Sequence, residues 1–109
     1  MDWKEYSKRA LAVSIYPNAG SNLAYPALGL TGEAGEVAEK VKKIIRDQNG
    51  QLSEYNKQEI AKELGDVLWY LNALAFELGH DLEWVAEKNI EKLEDRKARG
   101  VLHGDGDNR

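Results

Sequence analysis

The 109-residue chain contains no cysteine, and it has only two prolines to interrupt long helices. Without cysteine, disulfide bonds, thiolate zinc sites and cysteine nucleophiles are excluded. No apolar run is long enough to cross a bilayer, and no run of lysine and arginine interleaves with aromatic residues. The formal net charge of −4 also argues against a general nucleic-acid binder. We therefore expect neither a membrane partner nor a nucleic-acid partner.

The first residues are polar and lack the apolar core of a signal peptide, so we expect a soluble, cytoplasmic protein. Apolar residues recur at helical spacing along most of the chain, and no segment alternates like a strand. This pattern predicts an all-α bundle of four helices with short loops. The predicted helices run over about 2–16, from the turn at Pro26 to about Asp47, from Ser53 to Leu78, and from Asp81 to Arg99.

Residues 1–100 are predicted to form one domain, and residues 101–109 form a tail rich in glycine and aspartate. A domain of this size has little room for an internal pocket, so a second subunit would help to build a site. The tail has no periodicity and leaves two alternatives. It is either disordered, or its terminal arginine, Arg109, folds over a bound ligand.

Two short segments repeat one pattern of acid, glycine, acid and valine. Residues 33–37 read EAGEV and residues 63–67 read ELGDV. Acids three positions apart share one face of a helix, and both pairs here border an apolar stripe. If the two helices pack antiparallel along those stripes, four carboxylates converge: Glu33, Glu36, Glu63 and Asp66. Carboxylates at about 4 Å repel by roughly 4 kcal/mol at an effective dielectric of about 20, so such convergence needs either a divalent cation or raised carboxylate pKa values.

The alternative is that these acids are ordinary surface residues of a chain in which 31% of residues are charged. Each pair, however, includes a glycine, Gly35 or Gly65, and glycine inside a helix costs about 1 kcal/mol relative to alanine. Two glycines at the same position within the two acidic segments favour a metal site over ordinary surface acids. They also predict that a neighbouring helix or a ligand approaches closely at both glycines.

Oxygen ligands alone favour Mg²⁺, with Mn²⁺ as a substitute. Neither His80 nor His103 stands at a metal-site spacing from the acids. Bound Mg²⁺ commonly engages phosphates, so we expect a phosphate-bearing substrate. The chain has no phosphate-binding loop of the form GxxxxGK[ST] and no recognisable serine–histidine arrangement. Metal-assisted attack by water is the chemistry that the residues predict.

Basic side chains near the acids are candidates to hold the remaining phosphate charge. Lys40 and Lys43 follow Glu36 on its helix face by one and two turns, and Lys92 and Arg96 share a face of the last helix. The alternative for Lys40 is a simple i,i+4 pair with Glu36.

Tyr70 lies four residues after Asp66 and projects over the same edge. It is a candidate contact for a sugar or a base, and packing at the rim of the core is the alternative. Trp69 and Trp84 lie elsewhere on their helices, where packing or a subunit interface is the expected role.

These motifs resemble the MazG-like all-α nucleoside triphosphate pyrophosphohydrolases. GEAGEV at 32–37 and ELGDVLWYL at 63–71 are similar to the two metal helices of that family. The likeness extends from about residue 22 to residue 99. The weaker matches are Asn22-Leu23, which resembles the segment before the first metal helix, and Asn89, Lys92 and Arg96, which resemble an N-x-x-K-x-x-x-R stretch.

The resemblance implies cleavage of a nucleoside triphosphate between its α and β phosphates, giving the monophosphate and pyrophosphate. It implies that Mg²⁺ is held by the four acids, that Lys92 and Arg96 clamp the outer phosphates, and that Asn22 and Asn89 contact the substrate. Glu36 is our candidate to accept the proton of the attacking water. The resemblance also implies a homodimer or homotetramer whose pocket is completed by two chains.

Two alternatives to this function stay open. One is a related hydrolase of a modified or phosphoribosyl nucleotide, which would share the metal site and differ in the base and sugar pocket. The other is a non-catalytic helical module that oligomerises through its apolar stripes and carries the acids only for solubility.

Overall fold

Four α-helices and no strand make up the fold in the computed structural model, which describes residues 1–109. The all-α prediction with four helices is confirmed. No helix of the chain is both long enough and apolar enough to cross a membrane. The helices are α1 at Trp3–Leu11, α2 at Ala24–Gln48, α3 at Glu54–Glu77 and α4 at Leu82–Ala98.

Polar side chains cap three of the four helices at their first turn. The carboxylates of Asp2 and Asp81 each accept a hydrogen bond at 2.8 Å from the amide three residues further on. Ser53 begins α3 in a reciprocal capping box with Asn56. Each cap satisfies an amide that the first turn of a helix leaves without a partner.

The first helix is shorter than predicted. It ends at Leu11 rather than at Tyr16, and tight-turn hydrogen bonds replace the helical ones beyond it. The chain turns here because Tyr16 is buried, with its hydroxyl donating to Glu77 at 2.6 Å. Val13 and Ile15, which lie inside the predicted range of about 2–16, are exposed.

Helices α2 and α3 form an antiparallel hairpin that carries both acidic segments. Helix α1 lies against α3, where the Trp69 indole donates to the carbonyl of Ala10 at 3.2 Å and the Ser7 hydroxyl donates to Asn72 at 2.7 Å. Helix α4 packs against α1 and α3 and does not contact α2. One face of the hairpin is therefore left without a partner within the chain.

Little of the molecule is buried in one copy. Nine of 109 residues are buried, and the accessible surface is 7900 Å², whereas a monomer of this mass exposes about 6,100 Å². The radius of gyration is 16.8 Å, against about 13 Å for a compact domain of this length. Large apolar side chains stay exposed on the hairpin, among them Leu28, Val41, Ile45, Leu64, Leu71 and Leu78.

Candidate functional site

Three acidic side chains meet where α2 faces α3. One carboxylate oxygen from each of Glu33, Glu63 and Asp66 lies within 4.8 Å of the other two. Glu33 and Glu63 are half-buried and Asp66 is exposed, so the group is open to solvent on one side. At a metal–oxygen distance of about 2.1 Å, neighbouring ligands of a six-coordinate Mg²⁺ are about 3.0 Å apart and opposite ligands about 4.2 Å apart. Small side-chain rotations would therefore let all three carboxylates reach one ion.

The expected repulsion within this acidic cluster acts on Glu33. Burial, followed by the charges of Asp66 and Glu63, raises the pKa of Glu33 above its ordinary value. Tyr6 of α1 also faces the group, and burial together with the charge of Asp66 raises the pKa of Tyr6. The only basic side chain paired with any of the three acids is Lys40. A divalent cation would supply the missing positive charge.

Glu36 is the member of the predicted four that does not join the cluster. It is exposed, and its charge raises the pKa of Glu33 less than the charges of Asp66 and Glu63 do. One helical turn separates Glu36 from Glu33 along α2. The structure thus brings three of the four carboxylates together, and the roles of all four stay predictions.

Tyr70 packs against α2 at Gly29. A Cβ atom on Gly29 would lie 2.2 Å from Cε1 of the Tyr70 ring. Trp69 contacts the same ring edge-on, at a centroid distance of 5.0 Å, and burial is the main reason that the pKa of Tyr70 is raised. Glu33 lies one turn from Gly29, and Asp66 lies one turn from Tyr70. This contact therefore sets the spacing of α2 and α3 beside the acidic cluster, and a contact with sugar or base stays a prediction.

Gly35 and Gly65 do not make the close contacts predicted for them within one chain. A Cβ atom on either residue would meet no atom within 4 Å. The tight approach of the two helices occurs at Gly29, which the acidic motifs did not point to. Since a helical glycine costs about 1 kcal/mol relative to alanine, the contacts inside one chain give no reason for Gly35 or Gly65.

Lys40 reaches across to α3 instead of pairing along α2. Its Nζ lies 3.5 Å from Glu63, so the alternative i,i+4 pair with Glu36 does not form. Lys43 pairs with Glu39 at 3.7 Å. Both lysines line a cleft of about 180 Å³ between α2 and α3. Positive charge therefore lies next to the acidic cluster, on the side of the loop that joins the two helices.

The predicted phosphate contacts of α4 lie apart from the acidic cluster. No hydrogen bond or ion pair joins Asn89, Lys92 or Arg96 to the three carboxylates, and α4 does not contact α2. Asn89 is exposed. Lys92 Nζ and Arg96 Nη2 instead contact the carboxylate of Asp107 in the tail, at 2.8 and 3.1 Å. Within one chain, the acidic cluster and these two cations are separate groups.

The tail of residues 101–109 folds back on itself. The guanidinium of Arg109 donates to the carbonyls of Val101 and Leu102 at 2.9 and 2.7 Å. A Cβ atom on Gly104 would lie 2.6 Å from Cδ of Arg109, so the Arg109 side chain passes close to this glycine. Arg109 is engaged by its own tail, and a contact of this side chain with a ligand stays a prediction.

Asn22 caps α2 from just outside the helix. Its Oδ1 accepts a hydrogen bond from the amide of Tyr25 at 3.1 Å, and its Nδ2 donates to the carbonyl of Pro17 at 2.8 Å. Both ends of the side-chain amide are therefore in use within the chain. The predicted substrate contact of Asn22 would have to replace one of these bonds.

The sequence pattern did not point to Glu77, yet this carboxylate organises the loop before α2. It accepts hydrogen bonds from the Tyr16 hydroxyl at 2.6 Å, the Gly20 amide at 2.7 Å and the Asn22 amide at 3.2 Å. These donors, the Tyr16 hydroxyl first, lower the pKa of Glu77, while burial and this carboxylate raise the pKa of Tyr16 to about 12. An acid in the last turn of a helix interacts unfavourably with the helix dipole. This unusual position was the sequence signal that could have pointed to Glu77.

Comparison with known proteins adds two findings. The family described as the MazG nucleotide pyrophosphohydrolase domain matches residues 23–101, a range that contains α2, α3 and α4. The Gene 37 protein of Mycobacterium phage L5 is 47% identical in an alignment that covers 95% of this chain and 96% of that protein. No solved structure matches the chain.

Proposed function

The chain belongs to the MazG nucleotide pyrophosphohydrolase family, and from this membership we propose that it cleaves ribo- or deoxyribonucleoside triphosphates between the α and β phosphates. The products are the nucleoside monophosphate and pyrophosphate. One observation supports the proposal most, namely the convergence of Glu33, Glu63 and Asp66 between α2 and α3. Carboxylates held this close with one lysine partner favour a divalent cation, and such cations assist the hydrolysis of phosphoric anhydrides.

Mg²⁺ fits the donor set, with Mn²⁺ as a substitute, because all three ligands are carboxylate oxygens and one side is open for water and phosphate. Glu33, Glu63 and Asp66 would hold the ion. Its chemistry there would be to neutralise charge on the phosphate oxygens and to make the attacking water more acidic. Glu36, exposed one turn away from Glu33, is placed to accept the proton of the water.

The basic residues share the rest of the phosphate charge. Lys40 already pairs with Glu63 and lies beside Lys43 on the cleft next to the acids, which suits the phosphate nearest the metal. Lys92 and Arg96 hold the outer phosphates through charge-assisted hydrogen bonds. The remaining proposed contacts with the sugar, base or phosphates are Asn22, Tyr70 and Asn89.

The proposal includes a homodimer or homotetramer in which a second copy covers the exposed face of the hairpin. Each chain exposes about 1,800 Å² more than a monomer of its mass. Two such faces together match the area that obligate homodimers bury, about 2,000–5,000 Å² in total. Leu64, Leu71 and Leu78 recur every seven residues along α3, which is the spacing of a helix–helix seam. A second copy could also bring the α4 cations to the acidic cluster.

Substitution of Gly65 tests this assembly, because close packing by a second copy predicts that alanine is destabilising and open space predicts that it is stabilising. If a helix of the second copy packs closely there, Gly65→Ala weakens the assembly. If nothing approaches, alanine stabilises α3 by about 1 kcal/mol. We expect the first outcome, seen as a higher dissociation constant in sedimentation at a series of dilutions. An unchanged oligomer with a raised Tm would contradict the close packing.

Release of pyrophosphate from each of the common ribo- and deoxyribonucleoside triphosphates, with Mg²⁺ and with EDTA, tests the reaction. We expect metal-dependent release of pyrophosphate and no free phosphate, since cleavage at the α–β bond leaves the outer two phosphates joined. The order of rates then identifies the preferred base. Free phosphate as the first product would contradict the proposed bond.

A folded protein that binds Mg²⁺ but leaves every substrate of that panel intact would favour a modified or phosphoribosyl nucleotide. One that binds no Mg²⁺ would favour the non-catalytic module. The expected absence of a nucleic-acid partner and the cytoplasmic location stay predictions.

A further inference from the structure

Arg96 is a buried cation whose only acidic partner comes from the tail. Its side chain is 5% exposed, and its Nε has no hydrogen-bond partner. Nη2 contacts both the carboxylate and the main-chain oxygen of Asp107. Because an unpaired buried guanidinium is costly, this site requires an anion. The anion present is one carboxylate on a nine-residue tail.

Lys92 shares the same carboxylate, with its Nζ at 2.8 Å from Asp107. Other basic residues of this region pair with acids close by in sequence: Lys88 with Glu91, and Arg99 with Asp95. Lys92 and Arg96 have no such partner on α4. Their charges are thus directed to one point, and Asp107 occupies that point while the carboxylate itself is 76% exposed.

We infer that the tail is an internal competitor for the phosphate-binding pair: Asp107 occupies Lys92 and Arg96 in the free protein, and a polyphosphate displaces it. The inference rests on the proposed function, which assigns this pair to the outer phosphates. A carboxylate oxygen and a phosphate oxygen accept the same kind of charge-assisted hydrogen bonds from these donors. Only one of the two anions can take both cations at once.

The shape of the tail suits displacement as a unit. Arg109 ties the tail to itself through the carbonyls of Val101 and Leu102, and the carboxylate of Asp107 is exposed enough for solvent and ligand to reach it. Release of the tail as a unit therefore breaks the contacts of Asp107 with Lys92 and Arg96 and the hydrogen bond from Arg99 Nη2 to the main-chain oxygen of Arg109. The bonds inside the tail can persist.

The test measures binding of inorganic pyrophosphate in EDTA by isothermal titration calorimetry. Without metal the acidic cluster repels the probe. Lys40 and Lys43 are the same in every protein compared, so a difference in affinity between the proteins reports Lys92 and Arg96. Three proteins are compared: the wild type, Asp107→Asn, and Asp105→Asn as the matched control. Asp105 is an acid of the same tail that makes no ion pair or hydrogen bond. Circular dichroism establishes that each variant is folded at the temperature of the titration.

We expect Asp107→Asn to bind pyrophosphate about tenfold more tightly than the wild type, the gain expected if the tail occupies the pair about nine-tenths of the time. Asp105→Asn should bind like the wild type. Equal affinity in all three proteins, or no binding in any, would overturn the inference. Weaker binding by Asp107→Asn would also overturn it, because Asp107 would then position the cations instead of competing for them.

Should Asp107→Asn fail to fold, truncation after His103 removes the same carboxylate, and the same gain in affinity is expected. The result is independent of catalysis. If Asp107→Asn binds pyrophosphate more tightly but the protein hydrolyses no nucleotide, the inference about the tail is supported and the proposed reaction is contradicted. If the protein releases pyrophosphate from nucleotides but Asp107→Asn binds pyrophosphate no more tightly, only the inference about the tail is contradicted.

Discussion

Asp66→Asn is expected to reduce metal-dependent release of pyrophosphate by at least about a hundredfold while leaving the four helices intact. Asparagine keeps the size of the side chain but removes one of the three carboxylates that converge between α2 and α3. The remaining pair, Glu33 and Glu63, would hold Mg²⁺ with less charge and fewer oxygens. Steady-state kinetics over a range of Mg²⁺ concentrations measure the loss, and circular dichroism monitors the helices.

The same substitution should stabilise the metal-free protein. The pKa of Glu33 is raised in the fold, in part by the charge of Asp66. A carboxyl group whose folded pKa is raised contributes stability below its unfolded pKa, and that stability is lost as the pH rises through the folded pKa. At neutral pH in EDTA the wild type therefore carries this repulsion, and Asp66→Asn relieves part of it. We expect a higher Tm for the variant in EDTA and a smaller rise in Tm on adding Mg²⁺.

Asp95→Asn is the matched control, because it removes the same charge from α4, where Asp95 pairs only with Arg99. Its turnover and its response to Mg²⁺ should equal those of the wild type. Glu36→Gln should lose turnover but keep most of the response of the Tm to Mg²⁺, since Glu36 lies outside the cluster. Normal turnover in Asp66→Asn would remove the metal site from the proposal.

The helical hairpin and its acids could be predicted because the signals are local and periodic. Caps such as Ser53 and Asp81 act within one turn, and acids at i and i+3 must share a face whatever the rest of the chain does. The register of α2 against α3 follows from apolar stripes, so Glu33 could be expected opposite Asp66. Glu36 lies outside the cluster, and no local pattern specifies which of the four acids the packing of α2 against α3 leaves out.

Contacts between residues far apart in the sequence could not be predicted from helical periodicity. Tyr16 lies outside the helix that was predicted to include it, because its hydroxyl donates a hydrogen bond to Glu77, 61 residues away. The pairing of Arg96 with Asp107 likewise joins a periodic helix to a tail without periodicity. In both cases one buried polar group needs one partner, and helical periodicity carries no information about which residue provides it.

Gly29→Ala is expected to destabilise the protein, because Gly29 is the glycine at which an added methyl group meets its nearest neighbour most closely. The new Cβ would lie 2.2 and 2.5 Å from atoms of the Tyr70 ring, which Trp69 contacts on another side. Either the ring leaves its place or α2 moves away from α3. Such overpacking costs about 1–3 kcal/mol, which corresponds to a fall in Tm of roughly 5–20 °C for a domain of this size. Because Glu33 lies one turn from Gly29, Mg²⁺ affinity should fall as well.

Gly32→Ala provides the matched control, since it adds the same methyl group three residues further along α2, where a Cβ atom meets nothing within 4 Å. Helix propensity alone predicts a gain of about 1 kcal/mol there. A fall in Tm equal to that of Gly29→Ala would mean that α2 tolerates no alanine for reasons unrelated to Tyr70.

The double variant Gly29→Ala with Tyr70→Ala separates the clash from every other cost. Tyr70→Ala alone loses the buried ring and its contact with Trp69, so it destabilises the hairpin. In the double variant the methyl group of residue 29 occupies space that the Tyr70 ring has left. The loss of unfolding free energy in the double variant should therefore be smaller than the sum of the losses in the two single variants. We expect a favourable coupling energy of about 1–3 kcal/mol from denaturant unfolding of the four proteins. Additive losses would show that the ring of Tyr70 does not set the spacing between α2 and α3, and hence does not hold Glu33 opposite Asp66.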